Sequence, residues 1–217
     1  MGTRRMSSES STHSGHSSGS LSTSVLDRAL LGDQDAFRKI TELFSGLVYS
    51  WCRRKGLAEE DAKDTSQEVF KTVAVKLALF RRESPNDSFR AWIRSVTKNK
   101  IVDHYRTEAK RVKSIDSEAV EIAELEGNLE KFELEGNLVR ETEELFQTAV
   151  QLIRQEFSER DYQALWRVAV NGMSAKTVAT ELGTTANAVF IAVSRIKKRV
   201  REEFADLIEL KDSEHGR

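Results

Sequence analysis

The residues whose chemistry stands out are basic, and one group of them shares a side of a predicted helix. Arg90, Arg94 and Lys98 recur at intervals of four, and Tyr105 continues the same side. Residues 81–113 hold 10 basic and 4 acidic side chains. Cations interleaved with a ring suit a single nucleic-acid strand, whose bases stack and whose phosphates need counter-charge. Two interpretations stay open: a nucleic-acid contact, and the solvated side of an amphipathic helix.

A second candidate is the segment 174–201, whose pattern is typical of a helix-turn-helix. Ser174 caps a short helix, Gly183 allows the positive φ of a tight turn, and a long helix runs from about Ala186 to about Ile208. Apolar residues at intervals of three and four, from Val189 to Phe204, seat this helix on a core. An ordinary helical hairpin with a solvated basic end is the alternative.

Side chains on the far side of the long helix could enter a major groove. At about 100° per residue, the outward residues are Asn187, Ala188, Ile191, Ser194, Arg195 and Lys198. The candidate set also includes Lys176 on the preceding helix and Thr185 in the turn. Basic residues between Arg195 and Arg201 add attraction for phosphates.

A third polar surface lies on the helix that contains Val69 and Val73. Asp64, Gln67, Glu68 and Lys71 fall on one side of it. This side is either a hydrophilic contact surface or simply the exposed side of the helix, and spacing alone favours the exposed side.

Motifs for other kinds of chemistry are missing from the sequence. It has no phosphate-binding loop, no nucleophile motif and no carboxylate pair that its spacing makes special. One cysteine, Cys52, and four scattered histidines give no metal-ligand spacing. We therefore predict no enzyme activity, no cofactor and no metal. With no apolar run long enough for a bilayer and no secretory signal, we expect a cytoplasmic protein without membrane insertion.

The elements that must position these residues are predicted to be helices in two small domains. From Val25 onward, apolar residues recur with the helical period of 3.6, and Asp33 and Gly56 are predicted as the N-cap and the end of one helix. No strand pattern is convincing, so the predicted fold class is all-α. Formal charges of +1, +6, −9 and +1 for residues 1–24, 25–113, 114–144 and 145–217 separate the segments. We predict a disordered serine-rich tail (1–24), a helical domain (25–113), an acidic linker (114–144), a helix-turn-helix domain (145–210) and a C-terminal tail (211–217).

Together these segments resemble regions 2 and 4 of bacterial sigma factors, the promoter-recognition subunits of RNA polymerase. Residues 158–201 resemble region 4. The region 2 resemblance rests on Asp64-Thr-Ser-Gln67-Glu68-Val69-Phe70, on Phe89-Arg-Ala-Trp92-Ile93, and on Asn99, Asp103 and Arg106. Because no intermediate domain lies between the two regions, the chain most resembles the extracytoplasmic-function (ECF) group of these proteins.

The resemblance implies a transcription initiation factor with no catalysis of its own. Such a factor binds the clamp helices and flap region of core RNA polymerase, and it recognises minus-10 and minus-35 promoter elements and aids melting; an anti-sigma factor is a further partner that the family allows. Asp64, Gln67, Glu68, Phe70 and Lys71 would bind polymerase. Asn86, Arg90, Arg94, Lys98, Tyr105 and Arg106 would bind the minus-10 element, and the helix from Ala186 the minus-35 element. The helical wheel turns Asn99 and Asp103 towards the core, where we expect them to shape the helix.

The acidic linker has two possible roles. Promoter elements about 25 base pairs apart are separated by about 85 Å, which 31 residues span when extended by a partner. The charge of −9 suits a basic channel of the polymerase; alternatively, the linker folds back on the basic helices and inhibits the free protein. The alternative to a sigma factor is a stand-alone helix-turn-helix regulator. The two-domain scheme requires separate bodies and an exposed turn at Gly183.

Overall fold

The computed structural model describes residues 24–81, 88–112 and 138–208, without the side chains of residues 111 and 112. Regular structure in these ranges is helical throughout, which confirms the all-α prediction. All but Ser24 of the predicted N-terminal tail, the whole predicted C-terminal tail, the candidate Asn86 and residues 114–137 of the predicted linker lie outside them. The α-helices are α1 (Val25–Leu30), α2 (Gln34–Arg54), α3 (Glu59–Lys76), α4 (Phe89–Val112), α5 (Leu138–Leu152), α6 (Glu159–Leu165), α7 (Ala175–Glu181) and α8 (Ala186–Phe204). In the described ranges, no helix is long and apolar enough to cross a membrane.

Helix α2 is the central element of the N-terminal half, and its ends follow from its sequence. Asp33 caps it, because its Oδ1 accepts hydrogen bonds from the backbone N–H groups of Asp35 at 2.9 Å and Ala36 at 3.1 Å. After its end, Gly56 takes a φ of +90°, the left-handed conformation that glycine adopts without strain. Both predicted boundaries of α2 are confirmed.

Helix α4 begins at Phe89 because Ser88 caps it: Ser88 Oγ accepts from the N–H of Ala91 at 3.0 Å. Its first turn packs Phe89 against Phe44 of α2 and Phe80, with ring centroids 5.5 and 5.4 Å apart. This aromatic cluster, which also includes Trp92, fixes α4 across α2.

The C-terminal half is built from α5 to α8, with Ser158, Ser174 and Thr185 as the N-caps of α6, α7 and α8. Helix α6 continues as a π-helical turn over Trp166–Val170, so the helical segment ends at Val170. Gly183, with a φ of +61°, makes the turn between α7 and α8.

The apolar core runs through both halves without a break. One cluster extends from Val25 of α1 to Ile208 beyond α8, and α5 packs against both α2 and α8. In this structure the two predicted bodies are not separate, although Gly183 stays exposed. Helix α5 also begins at Leu138, so the last seven residues of the predicted linker are helical. Their acidic composition had indicated a solvated linker, but Glu141 is buried among cations.

Candidate nucleic-acid and polymerase interfaces

The outward side of α8 is the most open candidate surface. Five of its predicted contact residues are exposed and one is half-buried: Asn187, Ile191, Ser194, Arg195 and Lys198, and Ala188. The opposite side is fully in the core, where Val189, Ile196, Val200 and Phe204 are at most 1% exposed. The predicted orientation of α8 is therefore confirmed, while its contacts with DNA stay a prediction.

Two further candidates lie beside α8. Thr185 is its N-cap, and Thr185 Oγ1 accepts from the N–H of Ala188 at 3.2 Å. Lys176 is exposed on α7. Phe190, which was not among the predicted contact residues, is 59% exposed beside Ile191 at 58%. Phe190 directly precedes Ile191 in the chain, which places both side chains at the edge of the outward side of α8.

Ion pairs hold two of the basic side chains near the C-terminal end of α8. Arg195 is paired with Asp161 of α6, and its guanidinium lies 5.6 Å from the ring centroid of Phe157. Arg199 donates two hydrogen bonds to Glu156, at 2.6 and 3.1 Å. Lys198 is more open, with its side chain 75% exposed and Glu202 3.7 Å away. Of the two predicted cations Arg195 and Lys198, Lys198 is therefore more available to a phosphate.

The predicted minus-10 residues of α4 do not form one open surface. Arg90 is 4% and Arg94 is 8% exposed. Tyr105 is half-buried, with its hydroxyl donating to the carbonyl of Lys55 at 2.7 Å. Lys98 is half-buried, and Arg106 is exposed with Asp103 3.9 Å away.

The helical wheel of α4 was wrong on two counts. Asn99 and Asp103, expected on the core side, are exposed, whereas Arg90 and Arg94, expected away from the core, are buried. The reason is that α4 is covered on two sides: α2 and α3 pack on the side of Phe89 and Ile93, and α5 covers the side of the two arginines. A single-helix pattern does not show a second covering element.

The polar surface of α3 is exposed as predicted. Asp64, Gln67, Glu68 and Lys71 are exposed, and Phe70 is half-buried against the core. Glu68 accepts a hydrogen bond from Lys71 Nζ at 2.6 Å, and this contact lowers the pKa of the Glu68 carboxyl. Both interpretations of this surface stay open, because a hydrophilic contact surface and the plain solvated side of a helix would each be exposed.

Beside this surface, α3 and α4 enclose a shallow recess rich in charge. Asp61, Asp64 and Glu68 line one wall, and Lys100 and Asp103 line the other. No group of His, Cys, Asp and Glu in the described part of the chain could hold a metal ion.

Cys52 is enclosed by apolar neighbours and is fully buried. Burial raises the pKa of its thiol to about 11, and the hydroxyl of Ser66, 3.9 Å from the sulfur, offsets only part of this. The thiol is therefore protonated at neutral pH, which fits a side chain that packs in the core rather than reacts.

Comparison with known proteins agrees with this arrangement of helices. Residues 41–111, from within α2 to nearly the end of α4, match the family Sigma-70 region 2. The chain is 29% identical over 184 residues to the ECF RNA polymerase sigma factor SigD of Mycobacterium tuberculosis, with 82% of each chain covered. These matches support membership of the ECF group of the sigma-70 family. They also support a transcription initiation sigma factor, and they give a stand-alone regulator no support.

One further relative is consistent with that assignment. The RNA polymerase sigma factor NccH of Alcaligenes xylosoxydans xylosoxydans is 28% identical over 181 residues, covering 83% of this chain and 93% of NccH. A solved structure of CnrH in complex with the cytosolic domain of CnrY covers 81% of this chain at 20% identity, with a TM-score of 0.34. The family is one of non-enzymatic transcription factors, and the lack of any catalysis by this chain stays a prediction.

Proposed function

We propose that this sigma factor directs core RNA polymerase to promoters by contacting two DNA elements. Helix α8 reads the minus-35 element in a major groove, α4 and the segment before it engage the minus-10 element, and the polar surface of α3 binds the clamp helices of the polymerase. The polymerase supplies the chemistry of RNA synthesis. The sigma factor supplies position, and it captures unstacked bases of the opened strand.

The observation that carries the proposal is the open outward side of α8. Asn187, Ser194 and Lys198 are exposed, while the opposite side of the helix is anchored in the core. A helix held from behind presents a rigid set of side chains, which is what recognition of base edges requires. The exposed turn at Gly183 leaves room for DNA to approach the start of α8.

The α3 surface is proposed for the polymerase because it combines exposed charge with a firm support. Asp64 and Glu68 lie one turn apart, and the neighbouring Val69 and Val73 are fully buried. Charged residues on a rigid helix set the rate and specificity of docking to a complementary surface.

Run-off transcription with purified core polymerase tests the proposed function. Fragments of a genomic library serve as templates, and RNA starts are mapped with and without the sigma factor. We expect new starts that depend on the added protein. No starts on any fragment, together with no binding to core polymerase, would refute the proposal.

The α3 assignment is tested by the double variant Asp64→Arg with Glu68→Arg. We expect at least a tenfold loss of affinity for core polymerase, because like charges then face the partner. The matched control is Asp35→Arg with Glu42→Arg, which makes the same charge change at exposed positions of α2. Equal affinity of the two double variants would remove the role assigned to α3.

A further inference from the structure

The outward side of α8 contains an apolar pair as well as polar and basic residues. Phe190 is 59% and Ile191 is 58% exposed, and both lie in the second turn of the helix. Their neighbours Val189 and Val193 are 1% and 7% exposed and hold this turn on the core. The pair is therefore exposed because of the direction in which α8 faces, and not because the helix end is frayed.

Phe190 differs from the other exposed apolar residues in type and in position. The described ranges contain further large hydrophobic side chains that are exposed, but each of them is aliphatic. Phe190 lies three residues after Asn187 and four before Ser194, so these three side chains follow one another along the helix surface. Ile191 is the next residue and lies three before Ser194. The apolar pair is thus in the middle of the surface proposed to enter a major groove.

The charge around the apolar pair favours a polyanion as its partner. Residues 183–201 contain five basic and no acidic side chains. Arg195 and Arg199 pair with acidic residues of other segments, but Lys197 is exposed and the side chain of Lys198 is 75% exposed. Apolar side chains beside such cations are complementary to a DNA groove, which has phosphates along its edges and bases at its floor.

Thymine is the base that presents a methyl group in the major groove. Apolar side chains contact this C5 methyl, whereas the other base edges present mainly hydrogen-bond donors and acceptors. An apolar side chain over those polar edges displaces water without replacing its hydrogen bonds, which costs free energy. A phenylalanine and an isoleucine at the centre of a groove-binding helix therefore favour thymine over the other bases.

We propose that Phe190 and Ile191 are specificity residues that contact thymine methyl groups in the upstream promoter element. The inference rests on the proposed function of α8 and names a sequence feature of its DNA. Consecutive Cα atoms are about 3.8 Å apart and successive base pairs about 3.4 Å, so the two side chains reach neighbouring base pairs. The preferred element therefore contains thymines at two neighbouring base pairs, on the same strand or on opposite strands.

Selection from random DNA tests the predicted preference. Random-sequence duplexes are incubated with the protein and core polymerase, and the retained duplexes are sequenced; core polymerase alone gives the background. The same selection is made with the double variant Phe190→Ala with Ile191→Ala. We expect neighbouring thymines to be enriched by the unmodified protein and not by the double variant. An enriched sequence without thymines, or thymines that both proteins enrich equally, would overturn the proposal.

Uracil tests the methyl group itself, because it pairs as thymine does but lacks the C5 methyl. Uracil replaces the two neighbouring thymines in a fluorescein-labelled duplex of the selected sequence, and binding is measured by anisotropy. For the unmodified protein with core polymerase we expect binding to weaken about tenfold, because two apolar contacts are lost. The double variant is expected to bind the thymine and uracil duplexes within about twofold of each other. Uracil placed outside the selected element is the control.

A control variant separates a DNA contact from the general loss of an exposed apolar side chain. Leu31, between α1 and α2, is 84% exposed, and Leu31→Ala is expected to keep the preference for thymine over uracil. Circular dichroism checks that every variant is folded, and the uracil duplex tests the unmodified protein whatever the variants do. An unmodified protein that binds both duplexes equally would overturn the proposal. If the double variant then also binds core polymerase more weakly without DNA, the pair docks on the polymerase instead.

The two proposals fail in different ways. If the unmodified protein directs no RNA starts and does not bind core polymerase, the proposed function fails, whatever sequence it selects. If it directs starts from promoters whose upstream element binds equally well with thymine and with uracil, the function stands and the role of Phe190 and Ile191 fails.

Discussion

Helices α4 and α8 have similar sequence patterns but different surroundings. Each has apolar residues at helical spacing on one side and basic residues on another. On α8 the basic side is open, with Lys198 75% exposed in its side chain, whereas Arg90 and Arg94 of α4 are buried beneath α5. The spacing of apolar residues predicts which side of a helix packs against the core. It does not predict whether another helix covers the polar side, and this decides whether that side is exposed to solvent.

The same comparison separates two kinds of ion pair. Arg195 and Asp161 pair at the surface of the C-terminal half, while Arg94 and Glu141 pair inside the interface between the halves. Surface pairs contribute little to stability, about 0–1 kcal/mol, but removing one member of a buried pair costs about 3–5 kcal/mol. Removing a charge at each site therefore tests the contrast directly.

The largest effect is expected for Glu141→Gln. We predict a fall of about 3–5 kcal/mol in the free energy of unfolding, because Arg94 and Arg54 lose a charged acceptor in or near the core. Urea unfolding followed by circular dichroism measures it. Asp161→Asn, at the surface pair, is the control and should change stability by at most about 1 kcal/mol. Equal losses for both variants would contradict the contrast.

A smaller and pH-dependent effect is expected at Glu203. Burial opposes its ionisation, but the cations Lys39 and Arg199 outweigh burial and hold the pKa of its carboxyl below the ordinary value of 4.5. Ionised Glu203 therefore stabilises the fold above pH 4.5, and this contribution is lost as pH falls through the lowered pKa.

The variant Glu203→Gln lacks that titration. We expect it to be less stable than the unmodified protein at pH 6 by about 1.5–3 kcal/mol, with a difference that shrinks towards pH 3. Thermal unfolding at several pH values measures this. A difference that grows on acidification would show that the sign of the pKa shift is wrong.

The smallest effects are expected on α8. Lys198→Ala should weaken binding to duplex DNA and reduce the slope of log affinity against log salt by about 1, because a phosphate contact is lost. Arg195→Ala should have less effect, since Arg195 is already paired with Asp161. Fluorescence anisotropy at several salt concentrations measures both. A larger effect of Arg195→Ala would mean that its ion pair opens on DNA.

Local features of the fold followed directly from the sequence. Caps at Asp33 and Ser174, and the turn at Gly183, were all predictable because each depends on neighbours within a few residues. The outward side of α8 was predictable for the same reason, since its periodicity is clear.

Long-range features could not be predicted. The burial of Arg90 and Arg94 depends on Thr142 and Glu141 of α5. Glu141 is 47 residues from Arg94 in the chain and lies in a stretch whose acidic composition indicated a linker. An inference from composition assumes that every acidic residue is solvated. Three hydrogen-bond donors from α2 and α4 instead make the burial of Glu141 favourable. The division into two domains stays a prediction, because it concerns whether this interface opens.

The most direct test of the account is a footprint on a promoter found by run-off transcription, with the protein alone and with core polymerase. The account predicts that the protein alone protects at most the upstream element, through the open side of α8, and that core polymerase adds protection of the minus-10 element. Protection of the minus-10 element by the protein alone, or no protection of it in the presence of core polymerase, would contradict the account.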